Sequence, residues 1–382
     1  MADTPIEESN LAHIGSDEDK AAKKAAAESD PMWKDAGTKV GIQIWRVENK
    51  RTENDNADFG INHWPKKQYG KFHRGDSYIV LETREDDDED GDGEDGGFLW
   101  DIYFWIGAES SQDEYGVAAY KANELDDLLN GTPTQHRECE GYETEEFLDL
   151  FPHIQYLEGG VDSGFRDVDA DEGGVEFPTR LFHIRRREDT KKIRCFQCKI
   201  ECASLNQGDA FILDNNETIY TWFGTESSPF EKHEANRAAH VMADGRFGHS
   251  KIVTDVEDDC EEFWELLGGR EEIKAASEFH DDKVPDETET KLYKLSEENG
   301  KLDITQLEPV KSNLDTDAAC MVDIGRYVFV WLGKGSNERE RKQAMIMTQD
   351  FVNRWERTKT TTVIRVMEGK ERKVRAWKKA FK

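Results

Sequence analysis

Three separated groups of carboxylates lie between Gly75 and Gly131. Asp76 sits at the head of a strand-like run, Gly75-Asp76-Ser77-Tyr78-Ile79-Val80-Leu81-Glu82. Glu114 follows Ser110-Ser111-Gln112-Asp113 and opens a helix-like segment that reaches Gly131 and carries Glu124, Asp126 and Asp127. A hard divalent cation takes such oxygens: calcium needs about six to eight of them at about 2.3–2.6 Å and accepts carboxylates and carbonyls together. Read singly, Gly-Asp is a turn and Glu114 suits a helix N-terminus. The acids at the far end of the helix are odder, because the helix dipole disfavours each by about 0.3–1 kcal/mol there. A bound cation reverses that cost.

The elements that would position these acids recur. Trp105-Ile106-Gly107 returns as Trp222-Phe223-Gly224 and as Trp331-Leu332-Gly333, at separations of 117 and 109 residues. A glutamate stands nine residues after each Trp: Glu114, Glu231 and Glu340. Asp209 stands thirteen residues before the second Trp, and Ala318, preceded by Asp317, thirteen before the third. Asp76 is 29 residues before the first Trp, so sixteen extra residues intervene there. The run Glu85 to Asp95, nine acids among eleven residues, accounts for most of them. It repels itself, misses the EF-hand spacing and reads as an exposed hairpin loop. Opening strands recur as Val40 to Val47, Arg180 to Ile184 and Lys291 to Leu295, and short closing helices as Phe147 to Phe151, Phe263 to Leu267 and Trp377 to Phe381.

Internal repetition at this period means one unit used three times. The expected layout is a flexible extension over 1–38, repeats over 39–157, 179–275 and 289–382, and joins over 158–178 and 276–288. Trp33 is the one residue of the extension expected to pin it to the first repeat. Each repeat mixes strands with a long and a short helix, an α+β pattern with helices covering a sheet.

The chain has 382 residues, 35% of them charged, and a net charge of −31. That acidity argues against nucleic acid or an anionic membrane as partner of the whole molecule. No apolar run approaches the ~20 residues that span a bilayer, and the N-terminus has no signal-peptide core. A cytoplasmic address is expected. Six scattered cysteines do not form a disulfide framework, and Cys195, Cys198 and Cys202 lack the second pair of a zinc site, so reduced thiols are expected. No nucleophile or phosphate loop supports an enzyme.

These residues resemble the gelsolin superfamily. The resemblance rests on Trp45, Gly75-Asp76, Ser111-Gln112-Asp113-Glu114, Leu125 to Gly131, Gln135-His136-Arg137-Glu138 and Gly159 to Phe165, and covers the chain from about Trp33 onward. Three repeats place it with the severin/fragmin type. The resemblance implies three tandem domains, each a central mixed sheet of about five strands between a long and a short helix. It implies a monomeric, non-enzymatic protein of the actin cytoskeleton, with Ca2+ as its ligand and actin, as monomer and filament, as its partner.

The resemblance also distributes the site residues. An intradomain calcium site in the first repeat would use the Gly75 carbonyl, Asp76, Glu114 and the Val161 carbonyl. A second site, completed by actin, would use Asp126, the Gly131 carbonyl and the carbonyl near Pro133, and has no clear counterpart in the other repeats. The helix between them would meet actin through Tyr120, Lys121, Glu124, Asp126, Asp127 and Leu128. In the second repeat the matching ligands are Gly208, Asp209 and Glu231, with Asp281 or Asp282 as a late ligand. In the third, Glu340 is kept and the aspartate is Ala318, which weakens that site unless Asp317 substitutes by a shift of register.

A basic hairpin, Arg185, Arg186, Arg187, Lys191, Lys192 and Arg194, fits either the acidic side of a filament or phosphoinositide head groups. The basic segment that some relatives use for lipid in the first repeat is absent, His153 to Gly160 being neutral to acidic. The positions of the disulfide of extracellular gelsolins correspond to Ala210 and Phe223. From Glu338 onward fourteen Lys/Arg face six Asp/Glu, which reads as a solvated basic end, a latch onto the acidic repeats, or an actin contact. The function expected is calcium-dependent severing of actin filaments and capping of their barbed ends, with nucleation open. The alternatives are a capper that does not sever and a calcium-binding protein without actin activity.

Overall fold

A computed structural model describes residues 24–25, 27–51, 57–86, 97–160, 178–187, 190–246, 250–278, 286–298, 301–336, 338–355, 357 and 360–381. Most of the acidic insertion therefore lies outside the described residues. Strands β1 (Gly41–Arg51), β2 (Ala57–His63), β3 (Lys71–His73), β4 (Ser77–Glu85) and β5 (Phe98–Ile106) lead to helix α1 (Gln112–Leu128), β6 (Thr134–Cys139), α2 (Glu145–Asp149) and β7 (Gln155–Leu157). Then come β8 (Arg180–Arg186), β9 (Ile193–Cys198), β10 (Ala210–Asn215), β11 (Thr218–Phe223), α3 (Pro229–Asp244), β12 (Lys251–Val253) and α4 (Glu261–Leu266). The last stretch carries β13 (Lys291–Glu298), β14 (Lys301–Leu307), β15 (Ala319–Asp323), β16 (Tyr327–Leu332), α5 (Glu338–Arg354) and β17 (Thr362–Met367).

The chain forms two compact units: residues 1–67, 76–150 and 284–382, and residues 68–75 and 151–283. In the first, one ten-stranded sheet runs β14-β13-β15-β16-β17-β6-β5-β4-β1-β2. Five of its strands come from the third repeat and five from the first. In the second, the sheet runs β12-β11-β10-β8-β9-β7-β3. The fold is thus α+β, with the expected five-stranded sheet at the heart of each repeat.

In each repeat's five-stranded sheet antiparallel strands join a parallel pair, β5 with β6, β11 with β12 and β16 with β17. A parallel pair needs a long crossover, and the long helix supplies it each time. Helix α3 starts on a capping box, Ser228 and Glu231, with Pro229 in its first turn. Trp45, Ile79, Leu81 and Phe104 pack under Ala118, Ala122 and Leu125 of α1. Ile184 and Ile212 lie under Ala235 and Ala239 of α3, and Met321 and Val330 under Ala344 and Met347 of α5.

The repeated Trp-x-Gly has a geometric cause. Gly107, Gly224 and Gly333 each donate N–H to the carbonyl of Asp76, Asp209 and Ala318, at 3.0, 2.9 and 3.0 Å. A Cβ on Gly224 would stand 2.4 Å from the Gln207 carbonyl, and one on Gly333 2.2 Å from that of Thr316. Only glycine fits there.

Three expectations about layout change. Residues 31–37 are not a flexible extension: Pro31–Trp33 form a 3-10 turn capped by Asp30, and Trp33 is buried against Trp45, ring centroids 5.0 Å apart. Segments 68–75 and 151–157, assigned above to the first repeat, lie in the second unit, where β7 runs parallel to β9 and Ile154 accepts from Cys195 at 3.1 Å. Backbone pairing with β9, not sequence neighbourhood, decides their membership. The closing element of the third repeat, Arg375–Lys379, is 3-10 and not α-helical.

No disulfide forms among the six cysteines. Ala210 and Phe223 are cross-strand partners. No helix among the described residues is long and apolar enough to cross a membrane.

Candidate metal and actin-binding site

The acids at the end of α1 hold a cation already, and it comes from the chain. Strand β17 pairs antiparallel with β6, setting Arg365 opposite Gln135. From there the Arg365 guanidinium reaches Asp126 on α1. One N–H donates to Oδ2 at 2.8 Å, a second meets Oδ1, and the second also donates to the Pro133 carbonyl at 2.8 Å. Both residues are buried, Asp126 6% and Arg365 7% exposed. A planar guanidinium suits a bidentate carboxylate, and a buried charge needs such a partner. Two of the three ligands assigned to the shared site, Asp126 and Pro133, are therefore gathered around one positive group. Gly131 adjoins them at φ 69°, its N–H bonded to the Asp126 carbonyl at 2.8 Å. Oxygens so disposed suit a cation, as Arg365 shows, though among the described residues no group of three or more His, Cys, Asp or Glu side chains is gathered as for a metal.

The rest of the seam is also a first-to-third-repeat contact. Arg137 donates to the Thr361 carbonyl at 3.1 Å, Lys373 meets Asp86 at 3.0 Å and Arg375 meets Asp149 at 2.7 Å. The basic end of the chain is thus tied to the acidic first repeat. Arg375 is largely exposed, so its pair contributes little by itself.

On α1, Tyr120 is 66% exposed. Lys121 bonds Asp30 at 2.8 Å and Glu124 at 3.0 Å, and Glu124 accepts from the Trp33 indole at 2.6 Å. These two assigned contact residues are engaged by the segment that Trp33 anchors. Leu128 packs against the core and Asp127 is half-buried. Of the assigned face, Tyr120 stands out to solvent.

At the intradomain positions, Asp76 is fully buried and bonded by Arg46 through Nε at 2.7 Å and through a second guanidinium nitrogen. Gly75 bonds the Gly159 carbonyl at 2.8 Å. The Glu114 side chain, Val161, Asp281 and Asp282 lie outside the described residues. In the second repeat, Asp209 accepts from His183 at 2.7 Å and from Asn206 at 2.9 Å. Burial pushes its carboxyl up, but the bond to and charge of His183 outweigh that and hold it below the usual range. Glu231 accepts from the backbone of Arg186 and of Ser228, both at 2.8 Å, so it links β8 to the start of α3. Gly208 bonds Asn206 at 2.8 Å. In the third repeat no register shift occurs: Ala318 holds the aspartate position, and Asp317 lies beside Gly335 instead. Glu340 is half-buried near the start of α5.

The basic hairpin divides. Lys191 is exposed, and Arg186 lies over Phe230 at 4.6 Å. Arg185 lies over Phe196 at 5.2 Å, and Lys192 is half-buried. Arg187 and Arg194 are buried, 2% and 1% exposed, and Arg194 donates to the Tyr156 hydroxyl at 3.2 Å. These two are corrected from surface cations to structural ones: Arg194 is tied to Tyr156 of β7, and Arg187 closes the turn after β8 by donating its N–H to the Lys192 carbonyl.

Sequence reasoning missed Arg365 altogether. Its only local signal was a lone charge in an otherwise apolar strand, Val363-Ile364-Arg365-Val366-Met367.

The gelsolin repeat model matches residues 65–148 and 199–264. An actin depolymerising venom protein, gelsolin 1, of Platymeris rhadamanthus is 36% identical over 349 residues, covering 88% of this chain and 87% of that protein. The chain belongs to the gelsolin family. Gelsolin of Drosophila melanogaster is 35% identical over 382 residues, covering 96% of this chain and 45% of that one. Gelsolin-like protein 1 of Lumbricus terrestris is 36% identical and covered over 84% of its length. The chain thus spans less than half of the fly gelsolin and most of the other two.

Proposed function

We propose that this gelsolin-family chain is a calcium-dependent actin filament severing and barbed-end capping protein, held closed without calcium by its third repeat. The observation that carries the reading is the Arg365 guanidinium seated on Asp126 and the Pro133 carbonyl. Those oxygens are the ones that the family resemblance assigns to a cation shared with actin. While Arg365 holds them, neither calcium nor actin can use them. Calcium and Arg365 compete for one carboxylate, so calcium favours separation of β6 from β17 and frees α1.

The Platymeris relative, by name an actin depolymerising protein and covered over 87% of its length, supports the actin half of the reading. The second repeat would bind along the filament through Lys191, Arg186 and their neighbours, with phosphoinositide head groups as a competing anion. The first would then enter between subunits and stay as the cap. No covalent chemistry is needed. The place of action is the cytoplasmic actin cytoskeleton, and the active species a monomer.

The test is pyrenyl-actin depolymerisation with single-filament microscopy, in calcium and in chelator. Fragmentation only with calcium is expected. Blocked ends without breaks would reduce the protein to a capper, and calcium binding with no effect on actin would overturn the actin reading.

A further inference from the structure

The three repeats share a position that no family motif above includes. Arg46 on β1 is the register partner of Tyr78, His183 on β8 of Phe211, and Lys294 on β13 of Cys320. In each case the partner lies two residues past the aspartate position, Asp76, Asp209 or Ala318. The carbonyls of those three residues accept from the same Trp-x-Gly glycine, so the register is one and the same. One strand over from every aspartate position, then, stands a nitrogen donor.

Where the acid is present, the donor is on it. Arg46 contacts Asp76 through two nitrogens, inside the core and over the Trp64 ring at 5.3 Å. His183 contacts Asp209 at 2.7 Å, its ring stacked on Phe211 at 4.5 Å and 6°. Where the acid is Ala318, the donor turns elsewhere: Lys294 meets Asp315 at 2.7 Å, and both are well exposed. A buried aspartate needs compensating charge or hydrogen bonds, and a buried cation likewise. The loss of Asp at 318 and the outward pairing of Lys294 follow that rule.

We propose that this first-strand position sets the cation affinity of each repeat: its side chain is a built-in competitor for the aspartate, strong as Arg46 and weaker as His183. The inference rests on reading Asp76 and Asp209 as cation ligands. A fixed positive group in contact with a ligand oxygen repels a divalent ion through a poorly screened interior. The repeats then differ in affinity because they differ here, and the second repeat binds calcium more tightly than the first.

Isothermal titration of the full chain with calcium chloride tests this. Arg46→Gln removes the charge and keeps a donor, and should tighten one site at least about tenfold. The gain should vanish when Asp76→Asn is added. Should Arg46→Gln fail to fold by circular dichroism, the reciprocal change decides: His183→Arg should weaken one site at least about tenfold, and that effect should vanish with Asp209→Asn. An unchanged or weaker site in Arg46→Gln, or an unchanged one in His183→Arg, overturns the proposal and makes these donors mere orienters of the carboxylate. If neither Asp76→Asn nor Asp209→Asn alters calcium binding by the otherwise native chain, the ligand reading itself is wrong and the proposal falls with it.

Discussion

Arg365 and Asp126 are 239 residues apart in sequence and form a buried two-nitrogen ion pair across the junction of β17 with β6. Removing one partner of such a pair leaves the other charge buried and unmatched, at a cost of about 3–5 kcal/mol. Arg365→Ala should therefore weaken the junction and lower the calcium needed to open it. Hydrogen exchange of residues 134–139 and 362–367 in chelator measures this. Full protection in the variant, with an unshifted calcium midpoint, would mean that Arg365 does not hold the closed form.

Trp33 joins the residues before β1 to the first repeat through its packing on Trp45 and its bond to Glu124. Its truncation leaves a cavity beside Ala27, Trp45 and α1. Trp33→Ala should destabilise the first unit by about 3–5 kcal/mol. A denaturant melt followed by tryptophan fluorescence reads the change; a loss under about 1 kcal/mol would show that this segment is merely laid on the surface.

The seam strand β6 also carries a pH dependence. Burial pushes Glu138 up to about 7, although Thr144 donates to it twice. A raised acid means that the folded state binds the proton more tightly. Stability then falls as pH rises from the ordinary carboxylate range through about 7, and levels off above it. Burial opposes charge on His136, but the bond to and charge of Asp101 outweigh it and raise its value. Its contribution is complete below the ordinary imidazole range and is lost as pH rises through the raised value, the same direction as Glu138. Asp101, held low chiefly by His136 against its burial, loses its contribution only in acid. Thermal melts from pH 5 to 9 should show declining stability, and Glu138→Gln should flatten the decline, by roughly 3 kcal/mol at most. A profile identical to the native one would remove Glu138 as its cause.

The two classes of cation in the second repeat should separate. Lys191→Ala with Lys192→Ala should weaken filament side-binding in co-sedimentation and leave the melt within about 0.5 kcal/mol. Arg194→Met should do the reverse, losing about 1.5–3 kcal/mol with its bond to Tyr156. Equal effects on binding would return Arg194 to the surface set.

Much of this was legible along the chain because it is local. Trp-x-Gly, the glutamate nine residues on and the strand-like run before it each report short-range geometry: a glycine under a carbonyl, a helix start, an alternating strand. They suffice for three α+β repeats and for Asp76, Asp209, Glu231 and the missing acid at Ala318. The burial of Arg187 and Arg194 was not legible: Arg187 lies just past the end of β8, and Arg194 and Cys195 are buried side by side on β9, against strand alternation.

What the tertiary structure alone decided is which oxygens already have a cation. Arg365 reaches Asp126 only because two edge strands from distant repeats pair, and edge pairing is backbone hydrogen bonding with no sequence signature of its own. Arg46, His183 and Lys294 share a role through cross-strand register, which is set by how strands align and not by spacing along the chain. The sequence determined the repeats and the acids; long-range strand pairing determined that Asp76, Asp126 and Asp209 are each met by a base from elsewhere in the chain.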